Sequence, residues 1–303
     1  MIAGRTCPID YHLIDEDFVE IKLNDQPMLV VGGLYGNRFA LDELKAIQKS
    51  LSAKMILNGD IHWFDKDYED FLYVEEKISD DLKIVGNVEC ELRRNDDIGA
   101  GCGCAYPTFA SDASVERSNQ IHKELKTMFV AHKDLKAFLK DRPKAFIIEN
   151  FGLRFLVIHG DEKSVAGWDN DKSRLADEDR QRELKAFYQK KNIDAVLCTH
   201  TCSQVILEWE GHVLINNGAS GMNSVKGAGN GLYTKVSKEK SAGAIYSKEI
   251  AGVYVELMPL HYDKAPMVEW FDQLWTKDSP AAISYRNRIL NGVSDDLLII
   301  KSK

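Results

Sequence analysis

Four short apolar runs in this chain each lead into a residue that can hold a cation. The runs are Met55 to Leu57, Leu82 to Val85, Phe155 to Ile158 and Ala195 to Cys198, and just beyond them stand Asp60, Asn87, His159 and His200. Brief runs with almost no polar alternation read as strands buried on both faces. Helical patterns lie between them. Leu41, Leu44, Ile47 and Leu51 share one helical face behind Asn37, a residue type that caps helices, and a second helix is expected over about Tyr68 to Ile78. Strand–helix–strand alternation argues for parallel βαβ units. Open α/β sheets gather their ligands outside the carboxyl ends of the strands. Two imidazoles, a carboxylate and an amide oxygen meeting there make a four-ligand site suited to a borderline cation such as Zn²⁺ or Mn²⁺.

The rest of the chain fits around these units. Phe18 to Leu23 alternates and reads as an edge strand, and Met28 to Val31 as a buried one ending in Gly32-Gly33. Ile98 to Asp112 is rich in Gly, Cys and Ser and reads as a loop. A long amphipathic helix follows, carrying Ile121, Leu125, Met128, Leu135 and Leu139 and stopping near Pro143. Two strands, Lys144 to Glu149 and Leu153 to Ile158, come next, then a charged helix over Arg174 to Lys190. Val205 to Trp209 and His212 to Asn216 flank Glu210-Gly211, a hairpin signal. Gly218 to Gly231 is a glycine-rich loop, either a cover for the substrate side or a connector. Ile245 and Val253 to Leu257 read as late strands, with helices after Met267. The expected organisation is an N-terminal edge segment (1–26), a main domain (27–260) and a small helical C-terminal appendage (261–303) packed on that domain.

Bulk properties exclude several classes. Lys+Arg 39 against Asp+Glu 47 gives a net charge of −8, which argues against a binder of bulk nucleic acid or of anionic membranes. No window approaches the roughly 18 apolar residues of a membrane span, and the N-terminus lacks the apolar core of a signal peptide. Six cysteines in 303 residues make no disulfide framework, so a reduced, cytoplasmic protein is expected. Cys90, Cys102 and Cys104 lack the paired C-x₂-C spacing and the fourth ligand of a zinc knuckle. Gly32, Gly33 and Gly36 follow a strand, but Val31 stands where a dinucleotide-binding fingerprint needs its first glycine.

The order of the segments resembles the calcineurin-like metallophosphoesterase family. That family runs D-x-H-G-N, G-D, G-N-H-[DE], a strand ending in H-G, and G-H-T-H. Here the segments are Gly33-Leu34-Tyr35-Gly36-Asn37, Gly59-Asp60, Gly86-Asn87-Val88-Glu89, His159-Gly160-Asp161 and Thr199-His200-Thr201-Cys202, within about Pro27 to Leu260. The resemblance implies a four-layer α/β/β/α sandwich and phosphoester hydrolysis at two metals sharing a carboxylate that maps to Asp60.

The departures fall on one side of that site. One metal takes ligands that map to Asp60, Asn87, His159 and His200, all present. The other also needs positions that are Gly33, Tyr35 and Cys202 here, and the family's proton-donating His is Val88. The resemblance thus implies one divalent cation (Mn, Zn or Fe), no second one, and slow phosphoester hydrolysis or none; no catalytic residue is assigned. The alternative is an inactive descendant that binds a phosphorylated ligand or a protein. Cys202 could refill the lost half as a thiolate ligand, His62 could swing into it, and Tyr35 could ligate or fill the volume with its ring. Glu89 and Asp161 read as supports of the ligand loops. A phosphorylated small molecule or phosphoprotein is the expected partner; the oligomeric state is open.

Overall fold

The computed structural model describes residues 1–302. In chain order the first half contains β1 (Phe18–Lys22), β2 (Met28–Val31), α1 (Arg38–Leu51), β3 (Lys54–Asn58), α2 (Tyr68–Lys77), β4 (Leu82–Ile84), α3 (Asn87–Leu92), α4 (Asp112–Ala131) and α5 (Lys136–Leu139). Then come β5 (Ala145–Asn150), β6 (Leu153–Ile158), α6 (Lys172–Leu175), α7 (Glu178–Lys191), β7 (Ala195–Cys198), β8 (Val205–Trp209), β9 (His212–Asn216), β10 (Gly231–Ser237), β11 (Tyr246–Ile250) and β12 (Val253–Leu260). The C-terminal part holds α8 (Lys264–Leu274), a π-helical turn (Ala282–Arg286), α9 (Asn287–Asn291) and β13 (Leu298–Lys301).

The strands form two sheets, in the orders β11-β12-β10-β2-β3-β4 and β1-β5-β6-β7-β9-β8-β13. β2, β3 and β4 run parallel, as do β6, β7 and β9. Alternate residues of each strand serve two cores, which explains the unbroken apolar runs. Val30, Ile56 and Ile84 face Phe155, Val157 and Leu197 between the sheets. Leu29, Val31, Met55 and Leu57 face the other way, onto Leu41 and Leu44 of α1 and Val74 of α2. Leu156, Ile158 and Val196 pack on Leu184 and Tyr188 of α7. The result is the expected α/β/β/α sandwich. Asn37 does cap α1, its side chain accepting from the amides of Phe39 and Ala40 at 3.1 and 3.0 Å, worth roughly 1 kcal/mol.

Several elements differ from the sequence-based expectation. The long helix breaks after Ala131, because His132 leaves helical geometry (φ −125°, ψ 82°) and stacks on Tyr68 at 4.2 Å. The charged helix is two helices, divided where Asp177 caps α7 by accepting from the Asp179 amide. β10 was not expected as a strand, yet it is buried throughout between β2 and β12. The C-terminal segment adds β13, parallel to β8, to its helices. Its aromatic pairs dock inward: the Phe271 ring meets Phe64 edge-on at 5.1 Å, and the Trp275 indole donates to the Phe64 carbonyl at 2.8 Å. Among the described residues no helix is long and apolar enough to cross a membrane.

Candidate metal centre

The turns after β3, β4, β6 and β7 bring Asp60, Asn87, His159 and His200 to one point at the end of the sandwich. Glycines before two of them, Gly59 before Asp60 and Gly86 before Asn87, let the turns approach this closely. A Cβ on Gly59 would lie 2.6 Å from both the Gly86 nitrogen and His159 Nδ1, and a Cβ on Gly86 would lie 2.3 Å from Asp60 Oδ1. Glu89 ties two of the turns together. Its carboxylate accepts from the amides of Asp60 (2.9 Å), Ile61 (2.8 Å) and Gly86 (2.8 Å). The Thr199 amide donates to the His159 carbonyl at 3.0 Å and joins the two histidine turns.

The donor atoms have defined roles. His159 donates its Nδ1–H to the Asn58 carbonyl at 2.9 Å, which turns the Nε2 lone pair inward. Around Nε2 lie Asn87 Oδ1 at 3.2 Å, His200 Nδ1 at 3.2 Å and Asp60 Oδ1 at 3.3 Å. The Asn87 amide cannot turn round, because its Nδ2 donates to the Cys102 carbonyl at 3.0 Å. His200 Nε2 is buried without a hydrogen-bond partner, so the polar contact of this ring runs through Nδ1. Two nitrogens and two oxygens therefore face one another in a buried place; His159 Nε2 and the two oxygens offer lone pairs, and His200 Nδ1 does so when its ring proton sits on Nε2, an arrangement that a positive charge among them relieves. In the protein alone the surroundings of His159 favour a proton on its ring. Burial opposes its charge, but Asp60 and the Asn58 carbonyl outweigh burial and raise its pKa. Asp60 is likewise pushed up by burial and pulled lower still by His159. Burial and then the charge of His159 drive His200 down to about 3, so it is neutral. An N₂O₂ set with a single carboxylate is chemically suited to a divalent Zn, Mn or Fe ion.

On the side of Gly33 and Cys202 the space is filled. The Tyr35 ring occupies the space that a side chain at position 33 would need: a Cβ on Gly33 would stand 2.9 Å from the Tyr35 hydroxyl. That hydroxyl is 2.8 Å from Cys202 Sγ. Burial above all raises the pKa of both groups, so both keep their protons. Tyr35, Asp60, His200 and Cys202 all have positive φ, between 47° and 59°. Non-glycine residues in this region mark sites where the surrounding structure holds strain, commonly functional ones.

His62 does not join the cluster. It is fully buried, its Nδ1 is 2.6 Å from Asp65 and its Nε2 2.7 Å from Glu75, whose carboxylate takes both its oxygens to Arg142. Val88 contributes only its amide, which donates to Asp60 Oδ1 at 3.3 Å. The Gly218 to Gly231 loop packs beneath the first motif, where Asn37 Nδ2 donates to the Gly221 carbonyl at 2.7 Å.

A cavity of about 150 Å³ opens over Asp60, Asn87 and His200, walled by Trp63, Tyr106, Trp168 and Tyr285, with Arg288 and Cys202 at one side. A larger one, about 730 Å³, lies elsewhere along α4, between Leu92, Lys123, Phe129 and Lys133, and touches none of the four cluster residues. Nothing in the sequence marks Tyr285 and Arg288 as site residues. They come from the C-terminal segment, and no spacing rule connects them to the motifs.

No family model matches the chain, and no curated protein matches it in sequence. Two solved structures are similar. A metallophosphoesterase from Sphaerobacter thermophilus is 15% identical with a TM-score of 0.58, over 89% of this chain and 100% of that one. A hypothetical protein from Pyrococcus horikoshii OT3 is 13% identical with a TM-score of 0.58, over 84% of this chain and 97% of that one. At such identity the likeness concerns the fold, and the fold is that of the calcineurin-like metallophosphoesterases.

Proposed function

We propose that this protein is a metal-dependent phosphoester hydrolase-like protein that works with one cation, held by Asp60, Asn87, His159 and His200. The observation that carries the reading is the meeting of Asp60 Oδ1, Asn87 Oδ1 and His200 Nδ1 about His159 Nε2, with Asn87 and His159 each locked in the orientation that points its lone pair inward. A divalent ion there would polarise a phosphoryl oxygen and acidify water. The chain's own part is to hold the four donors still, to screen the pocket with Trp63, Tyr106 and Trp168, and to keep the adjoining half closed with Tyr35 and Cys202. Without a histidine at Val88, proton donation to the leaving group is forgone, an effect worth typically about 10²–10⁴ in rate. The expected partner is a phosphorylated small molecule or phosphoprotein in the cytoplasm.

The closed half-site and Val88 favour a second reading, in which the same pocket binds a phosphorylated ligand without turning it over. Hydrolysis of an aryl phosphate with added Mn²⁺ separates the two. Slow turnover that Asp60→Ala and His159→Ala both abolish supports the enzyme. Turnover unchanged in those variants would expose a contaminant, and phosphate binding with no turnover would leave the binder.

A further inference from the structure

We propose that Arg288 is a substrate-binding residue. Its guanidinium supplies, from the C-terminal helix α9, the fixed positive charge that the closed half-site lacks, and with the Asp60 cluster it holds the terminal phosphoryl group of a phosphomonoester. This rests on the reading that the pocket takes a phosphoryl group.

Arg288 lines the same cavity as Asp60 and His200, beside Cys202 and Tyr285. It is held by neutral groups only: Nε donates to the Asn223 carbonyl at 2.6 Å and Nη2 to Ser224 Oγ at 2.9 Å. Among the described residues no carboxylate pairs with it. The buried arginines elsewhere are neutralised, Arg142 by Glu75 and Arg180 by Glu162. Desolvating a charge is costly without a counter-charge, so a partly buried guanidinium facing a pocket is placed to receive an anion. Its planar fork of donors fits phosphoryl oxygens, which a lysine would meet only as a point charge.

Its position gives the charge its meaning. By motif order Tyr35 and Cys202 stand where the second cation's ligands belong, and the Arg288 guanidinium reaches Cys202 on that side of the cavity. One loop fixes the arginine through Asn223 and Ser224, so the charge needs no metal to stay in place. The cavity of about 150 Å³ is also small, against the roughly 300–1,000 Å³ of sites that enclose drug-sized ligands. It suits a terminal phosphoryl group with its ester chain leading out, and not a diester with both substituents enclosed.

The test is calorimetric titration of inorganic phosphate into wild type, Arg288→Met and Arg288→Lys, with Mn²⁺ binding measured first on each. Mn²⁺ affinity should be unchanged in both variants. Phosphate affinity should fall about 10- to 100-fold in Arg288→Met, less in Arg288→Lys, and recover partly when guanidinium ion is added at millimolar concentration. Equal phosphate affinity in Arg288→Met and wild type overturns the proposal, as does no phosphate binding by wild type. If Arg288→Met does not fold, the loss in Arg288→Lys decides. Wild type that binds no Mn²⁺ yet binds phosphate through Arg288 defeats the cation reading alone. Dimethyl phosphate competing as well as methyl phosphate overturns the monoester preference.

Discussion

The Tyr35 hydroxyl lies 2.8 Å from the Cys202 thiol, and the same ring stands where a side chain at Gly33 would have to go. Gly33, Tyr35 and Cys202 are thus one packed unit. Their changes compensate one another sterically: a small residue at 33 makes room for a large one at 35, whose polar end finds its partner at 202.

Gly33→Asp alone should destabilise the fold by roughly 1–3 kcal/mol through overpacking, with added strain from φ +63°. In the Tyr35→His/Cys202→His background the steric part of that cost should disappear, a coupling of about 0.5–3 kcal/mol. Urea denaturation of the four proteins measures it. Additive effects would mean that Tyr35 does not fill the site.

His62, Asp65, Glu75 and Arg142 form a buried ionic network whose members are each less than a tenth exposed. Burial opposes a charge on His62, but Asp65 and Glu75 raise it to about 9, while His62 and Arg142 bring Glu75 down to about 2 against its own burial. Removing one member leaves a buried charge without its partner. Arg142→Met and Glu75→Gln should each cost about 3–5 kcal/mol, read by denaturant midpoint.

His122 sets an acid limit. Its Nε2 donates to the Val88 carbonyl at 3.3 Å, its Nδ1 is buried without a partner, and burial followed by the charge of Lys126 holds its pKa down to about 4. The unfolded chain protonates this ring near pH 6.5. Its contribution to stability is therefore full above about pH 6.5 and is lost as the pH falls through about 4, up to ~3 kcal/mol in all. His122→Gln keeps a donor to Val88 but does not titrate. The stability difference between the two proteins should shift by that amount between about pH 7 and 4; a difference independent of pH would contradict the assignment.

Asp60, Asn87, His159 and His200 could be read from the sequence because each follows a short apolar run, and strand ends are where α/β sheets collect polar side chains. The filled half could be read only as a loss. Gly33 carries no sign that Tyr35 stands in its space, since that depends on how two loops cross. Arg288 and Tyr285 were hidden for a different reason. The pattern of α9 shows which residues are apolar, not which pocket its polar residues reach. β10 was missed because Thr234, Lys235 and Ser237 make it look exposed. Inside the sheet Lys235 is satisfied by Ser241 Oγ at 2.8 Å and Glu256 at 3.6 Å, partners that only the tertiary structure supplies. His62 looks like a spare ligand for a similar reason: Asp65 and Glu75 take both its ring nitrogens, and the Arg142 that completes the network with Glu75 lies 80 residues away.

The proposed site holds one cation per chain, on Asp60, Asn87, His159 and His200. Elemental analysis of the purified protein after incubation with Mn²⁺ or Zn²⁺ and removal of excess tests it most directly, alongside His159→Ala and Cys202→Ala. One metal atom per chain is expected in wild type and in Cys202→Ala, and none in His159→Ala. Two atoms per chain, or one that survives the loss of His159, would contradict it.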